Sequence, residues 1–174
     1  MTQKIRNLQV VVIGDANADK EKYDFCEALG KYLGENGHTV ITGGRSGVME
    51  AVSKGAHMHG SITVGILPSG NLEDANPWCK VIIPTDLGHG RNILTALAAD
   101  VVIAVGGRAG TLTELGFAWI YHKPIISVTK FGGWSKELSE KRIDDRRTDN
   151  IIAVDSLDEL KIQVERIADR FKKG

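Results

Sequence analysis

Cysteine is scarce in this chain: Cys26 and Cys79 lie far apart and form no Cys-x-x-Cys pair. That argues against a disulfide framework and a thiolate zinc site, and leaves both thiols as apolar core fillers. Net charge is missing as well, because 22 Lys and Arg balance 22 Asp and Glu. A neutral chain has no overall field to recruit a polyanion, so nucleic-acid binding and attachment to a membrane surface lose their simplest support. The longest apolar runs, such as 101–105, stop far short of the roughly 20 residues that a membrane helix needs. The polar start MTQKIRN lacks the features of a signal peptide, and the expected location is the cytoplasm. Two nucleotide signatures are also absent. GDANAD follows the first apolar run without a Gly-x-Gly-x-x-Gly turn, and no glycine loop closes on Gly-Lys-Ser/Thr. Both absences argue against a standard NAD site and a P-loop NTPase.

What is present is a regular alternation of two hydrophobic periods. Short apolar runs, predicted as strands, occupy 8–13, 38–42, 62–67, 80–83, 101–105, 125–128 and 151–154. Runs such as LQVVVI and VVIAV are apolar at nearly every position, as in parallel strands covered on both faces. Between them, helical spacing predicts helices over 19–36, from about 47, over 91–99 and over 111–121. A terminal helix carries Leu157, Leu160, Val164, Ile167 and Phe171 on one face, with Ser156 and Glu159 at capping-box spacing. The stretch 130–150 is polar and without sustained periodicity, and reads as a loop with one exposed helix. With 174 residues and 42% hydrophobic content, the expectation is one domain over 1–174. Its class is α/β, a doubly wound, mostly parallel, Rossmann-like sheet with helices on both faces.

Twenty glycines against four prolines demand explanation, and they cluster. One pattern occurs twice between a strand and a helix: Gly43-Gly44-Arg45-Ser46-Gly47 after TVIT, and Gly106-Gly107-Arg108-Ala109-Gly110 after VVIAV. In open α/β sheets such turns gather at the carboxyl ends of strands, where amide groups and a helix N-terminus can close on an anion such as phosphate. Thr111 adds a hydroxyl, and Arg45 and Arg108 add positive charge. The plainer alternative is two tight turns that need positive φ, with arginines in water. Glu114 and Glu50 each stand near the start of the helix that a glycine loop opens. Either could act as an acid or base, or simply favour the helix dipole, and Glu114 is the stronger candidate. Arg91 and Asn92 follow Gly88-His89-Gly90 at another strand-to-helix crossing, where a guanidinium can reach a bound phosphate. His57 and His59 lack an apparent third metal ligand, so no metal site is expected. Trp119 reads as packing, within the chain or between subunits, although Trp78, Trp119 and Trp134 could each stack on a base.

Over about residues 8–128 the sequence resembles a Rossmann-like family that includes two groups: the LOG-type cytokinin-activating phosphoribohydrolases and the molybdenum cofactor carrier proteins. The resemblance is strongest in Gly107-Arg108-Ala109-Gly110-Thr111-Leu112-Thr113-Glu114, which is similar to the LOG pattern PGGxGTxxE. TGGRSGVME, TVGILP and Gly90-Arg91-Asn92 support it. The resemblance implies that Gly107, Gly110 and Thr111 hold a 5'-phosphate, and that Arg91 and Glu114 assist cleavage of a base–ribose bond. Two departures are visible: Arg108 stands where LOG has its second glycine, and Arg91-Asn92 stands where LOG has Arg-Lys. The Arg-Asn form with TGGRSGVMEAV is more similar to the molybdenum cofactor carrier branch. Members of this family also carry a lysine decarboxylase label, which gains no support because no lysine sits in a recognisable pyridoxal-phosphate context. The expectation is a protein that binds a small phosphorylated, nucleotide-like ligand, either a molybdenum cofactor or a nucleoside monophosphate, with no cofactor required. The alternative is a phosphoribohydrolase acting on a nucleoside 5'-monophosphate. The resemblance and the apolar helix bearing Trp119 imply a homodimer or homotetramer.

Overall fold

The structure, a computed structural model, describes residues 6–173; the polar start at 1–5 lies outside them. Seven strands form one sheet in the order β4-β3-β2-β1-β5-β6-β7, and every pair is parallel. The strands are β1 (Gln9–Gly14), β2 (Thr39–Thr42), β3 (Thr63–Leu67), β4 (Val81–Pro84), β5 (Val101–Val105), β6 (Ile125–Val128) and β7 (Ile152–Val154). The helices are α1 (Lys20–Glu35), α2 (Val48–Met58), α3 (Asn92–Leu97), α4 (Ala109–Ile120), α5 (Gly133–Leu138) and α6 (Leu157–Lys173). A parallel sheet needs crossovers, and these helices supply them on both faces. The doubly wound expectation holds, with all strands rather than most of them parallel.

The alternating side chains of the central strands feed two cores. Val10, Val12, Val40, Ile103 and Val105 pack beneath α1, α2 and α6, together with Leu29, Leu33, Val52, Leu160 and Val164. Val11, Ile13, Ile41, Val102 and Ala104 point the other way, against Ala96 of α3 and Leu115, Ala118 and Trp119 of α4. Every residue of β5 is buried, which explains why its sequence is an unbroken apolar run. The capping of α6 follows the sequence signal: Glu159 N donates to Ser156 Oγ at 3.2 Å, and the Glu159 carboxylate accepts from Asp155 N at 2.8 Å.

One segment differs from expectation, and a second gains detail. The predicted helix over 91–99 is a 3-10 turn, Gly88–Arg91, followed by the shorter α3. Arg91 stands at the start of α3, as its N-cap residue, and is buried at the junction. Within 130–150 the expected exposed helix is α5, which seats the buried Ser135 toward β5 and β6 and leaves Gly133, Trp134, Lys136 and Glu137 exposed. Beyond it, Asp144 accepts a 2.7 Å bond from Trp119 Nε1, and the Arg147 guanidinium lies 4.4 Å from the centre of the Trp119 ring. Periodicity could not register this because the anchoring contacts are polar and single.

The winding reverses between β1 and β5: β1 leads through α1 to β2 on one side, while β5 flanks it on the other. Loops at the carboxyl ends of these two strands diverge and leave a crevice, which is where ligands bind in open α/β sheets.

Candidate functional site

A cleft of about 340 Å³ opens at this crevice. Its walls come from four strand-to-helix crossings: Asp15 and Lys22 after β1, Gly43 after β2, Arg91 and Asn92 at the start of α3, and Arg108, Gly110, Thr111 and Glu114 at the start of α4.

The α4 end gathers the groups that could hold an anion. Gly106 and Gly107 adopt φ of +66° and +104°, a region that L side chains rarely enter. The turn they make sends the chain directly into α4, which begins at Ala109, two residues earlier than its apolar pattern predicts. Arg108 is the N-cap residue and makes no side-chain capping bond. Among the described residues, the amide groups of 107–111 donate to no protein acceptor, so a helix N-terminus with its partial positive charge faces the cleft. The Thr111 hydroxyl stands with them, 3.4 Å from the Gly14 carbonyl.

The loop is held from behind by α5. Ser135 N donates to Gly106 O at 3.0 Å, Trp134 N donates to Gly107 O at 3.1 Å, and Gly106 N donates to Ser135 Oγ at 2.9 Å. The Ser135 hydroxyl in turn donates to Val128 O at 2.8 Å or Gly132 O at 2.9 Å. These bonds occupy the Gly106 and Gly107 carbonyls and the Gly106 amide, and leave the amides of 107–111 without a protein acceptor among the described residues. Sequence reasoning missed Ser135, because a serine in a polar stretch carries no signal until the fold brings it to Gly106.

Arg91 and Glu114 meet, with Nη1 3.3 Å from Oε1 and side chains 11% and 9% exposed. Arg91 Nη1 also donates to Thr95 Oγ1 at 3.1 Å, and the guanidinium fills the space where a Cβ on Gly43 would stand. That contact explains the glycine at the end of β2. Burial pushes the Glu114 carboxyl up to about 7, against the opposing pull of Arg91. Burial likewise lowers the Arg91 value, with Glu114 opposing and the positive charge of Arg45 adding to it. Arg91 Nε is buried without a hydrogen-bond partner among the described residues. The result is a carboxyl group poised near neutrality beside a guanidinium with unused donor capacity, the kind of pair that acid–base chemistry uses. Asn92 braces α4, donating to Thr113 Oγ1 at 2.7 Å and Gly110 O at 3.3 Å.

The two glycine loops diverge in use. Gly43 reaches the cleft, but Gly44, Arg45, Ser46 and Gly47 are not in its wall. At the α2 N-terminus Val48 N donates to Asp15 O at 3.0 Å, and beside it Ser46 Oγ donates to Ala16 O at 2.8 Å. Gly44 O accepts from Asn76 N at 2.8 Å, and Arg45 O accepts from the Asn76 side chain at 3.0 Å. The first loop thus carries the β1–α1 connection. Glu50 lies outside the cleft wall and near Tyr23 and Lys54. His57 packs edge-on against Trp78, and His59 Nδ1 lies 2.8 Å from the Gly55 carbonyl. Asp15, Asn17, Lys22 and Met49 line the cleft although no motif marks them, and His89 joins them from the Gly88-His89-Gly90 segment. The position of Asp15 and Lys22 around the first strand-to-helix turn was the available clue.

Residues 7–161 match the SLOG cluster4 family, and the chain belongs to it. An uncharacterised protein of Archaeoglobus fulgidus is 38% identical over 121 residues, which cover 70% of this chain and 80% of that protein. A cytokinin riboside 5'-monophosphate phosphoribohydrolase of Mycobacterium marinum is 28% identical, covering 80% of this chain and 83% of the relative. Among solved structures, the molybdenum cofactor binding protein of Rippkaea orientalis superposes with a TM-score of 0.83 at 30% identity, covering 94% of this chain and 99% of that one. The molybdenum cofactor carrier protein of Chlamydomonas reinhardtii gives 0.80 at 27% identity, covering 93% and 98%. The chain is therefore similar to both groups that its sequence resembles.

Proposed function

We propose that this protein binds a small phosphorylated, nucleotide-like molecule in the cleft between β1 and β5, with the phosphate on the amides of residues 107–111. The observation that carries this reading is the row of unpaired amides at the α4 N-terminus facing the cleft, with Arg108 and Thr111 beside it. Gly106, Gly107, Ala109 and Gly110 shape the cradle, while Gly43, Arg91 and Asn92 form the opposite wall. The likeness to molybdenum cofactor carriers supports a carrier that holds its cargo without reacting on it, and makes a molybdenum cofactor one candidate cargo. Arg108, where the hydrolases have glycine, adds a cation that suits retention of an anion.

The buried Arg91–Glu114 pair favours a second reading, hydrolysis of the N-glycosidic bond of a nucleoside 5'-monophosphate. Glu114 would orient water or offset charge growing on the sugar, and Arg91 would fix the phosphate. Incubating the protein with AMP and assaying free adenine separates the two. Release that is abolished in Glu114→Gln, with AMP affinity nearly intact, establishes the hydrolase. Binding without release in the wild type establishes the carrier. Thr111→Ala is expected to weaken AMP binding by about 1 kcal/mol, the size of one neutral hydrogen bond. Unchanged affinity in calorimetry removes Thr111 from the site.

The working form is a homodimer or homotetramer in the cytoplasm. Trp119 is buried within the subunit and does not serve the interface. The exposed apolar residues Leu94 and Leu97 of α3, and Ile120 and Tyr121 beside the end of α4, supply the surface that pairing would cover. Light scattering that finds only the 18.9 kDa mass at micromolar concentration refutes this assembly.

A further inference from the structure

The cleft contains an ion pair that neither reading uses. Lys22 Nζ lies 2.6 Å from Asp15 Oδ2, and the two side chains are only 12% and 17% exposed. Asp15 ends the β1 turn, and its backbone carbonyl is tied to α2. Lys22 stands in the first turn of α1, where its own amide donates to the Asp19 cap at 2.9 Å. Both side chains press on the phosphate loop, because a Cβ on Gly106 would run into the Asp15 carboxylate and stand 3.2 Å from Lys22 Nζ.

A carboxylate is the group least suited to a place beside an anion cradle, since it repels a bound phosphate. Lys22 removes that penalty by neutralising it. The pair as a whole then costs the phosphate little, and one carboxylate oxygen remains in use as a strong acceptor. Oδ2 takes the lysine; among the described residues Oδ1 accepts no hydrogen bond. An ionised acceptor held at the wall of a ligand cleft calls for a donor on the ligand. Dinucleotide-binding α/β sites use a carboxylate in this way, there at the end of the following strand, to accept from a ribose hydroxyl.

Resting on the phosphate-cradle reading above, we propose that Asp15 is the acceptor for a sugar hydroxyl of the ligand and that Lys22 is the residue that orients and neutralises it. The site thereby selects phosphate monoesters of a hydroxylated, ribose-like group over those lacking the hydroxyls. Asp15 is the specificity-determining residue and Lys22 the positioning residue.

The test uses three probes, inorganic phosphate, AMP and 2',3'-dideoxy-AMP, titrated into the wild type, Asp15→Asn and Lys22→Met. Calorimetry follows the nucleotides, and the amide resonances of residues 107–111 follow phosphate. The wild type is expected to prefer AMP over the dideoxy analogue by about tenfold or more, as for a hydrogen bond to a charged acceptor. In Asp15→Asn that preference falls at least severalfold, while phosphate binds as well as before or better. This also shows that the variant is folded. In Lys22→Met the uncovered carboxylate weakens all three probes together. Equal affinity for AMP and its dideoxy analogue in a wild type that binds phosphate overturns the role of Asp15 and leaves the cradle standing. A preference for AMP that survives in Asp15→Asn also overturns it. Failure of all three probes to bind the wild type overturns the cradle itself.

Discussion

Ser135→Ala is the substitution that most directly probes how the proposed phosphate loop is held. The serine is fully buried and no part of it enters the cleft, yet its hydroxyl joins β6 to the glycine turn. Alanine leaves Gly106 N buried without an acceptor and leaves the Val128 carbonyl without this donor. One buried backbone donor left unpaired costs about 1–3 kcal/mol. For a chain of this size 1 kcal/mol moves the midpoint by about 2–4 °C, so thermal unfolding should fall by roughly 4–8 °C for a loss near the middle of that range. The backbone bonds from Trp134 and Ser135 to Gly107 and Gly106 persist, so the turn should loosen rather than invert. Phosphate affinity, read by titration of the loop amides, should drop severalfold, about 1 kcal/mol, because the donors must be re-ordered on binding. Ser135→Cys, which keeps the volume with a weak donor and acceptor, should fall between the two. An Ser135→Ala protein as stable as the wild type, with unchanged phosphate affinity, would refute the argument that this hydroxyl supports the cradle.

The Glu114 carboxyl makes stability depend on pH in a defined direction. Its native value near 7 lies above its ordinary 4.5, so the folded chain holds a proton that the unfolded chain releases between those values. Its contribution is complete below pH 4.5 and is lost as pH rises through 7, by an amount on the order of 3 kcal/mol. Denaturant melts from pH 4.5 to 8 should show that slope flattened in Glu114→Gln; an unchanged slope assigns the proton elsewhere. Asp100 and Asp149, held below the ordinary carboxylate range by Arg6 and Arg147, act in the opposite sense and only at lower pH. Trp119→Phe removes the bond to Asp144 while keeping most of the buried ring, and should cost about 1 kcal/mol and make 139–150 more sensitive to protease. Cleavage at the wild-type rate would show that this bond does not fasten the segment.

The alternation of apolar runs and helical faces was legible because it reflects local rules: strands covered on both faces must be apolar throughout, and helices must turn one stripe inward. LQVVVI, VVIAV and the terminal amphipathic helix stand where those rules place them, and the GGRAGT turn stands at a strand-to-helix crossing beside Arg91 and Glu114. Tertiary structure decided what the same local pattern does in each place. GGRSG and GGRAG look alike as strings, yet only Gly43 of the first reaches the cleft, with Val48 N just beyond it tied to Asp15 O, while among the described residues the amides of 107–111 at the second donate to no protein acceptor. Which amides remain free depends on what packs against a loop, and that is settled by strand order, not by neighbours in sequence. The same holds for Ser135 behind Gly106 and for Lys22 against Asp15: single polar contacts between crossovers carry no periodicity, and only the winding of the sheet brings them together.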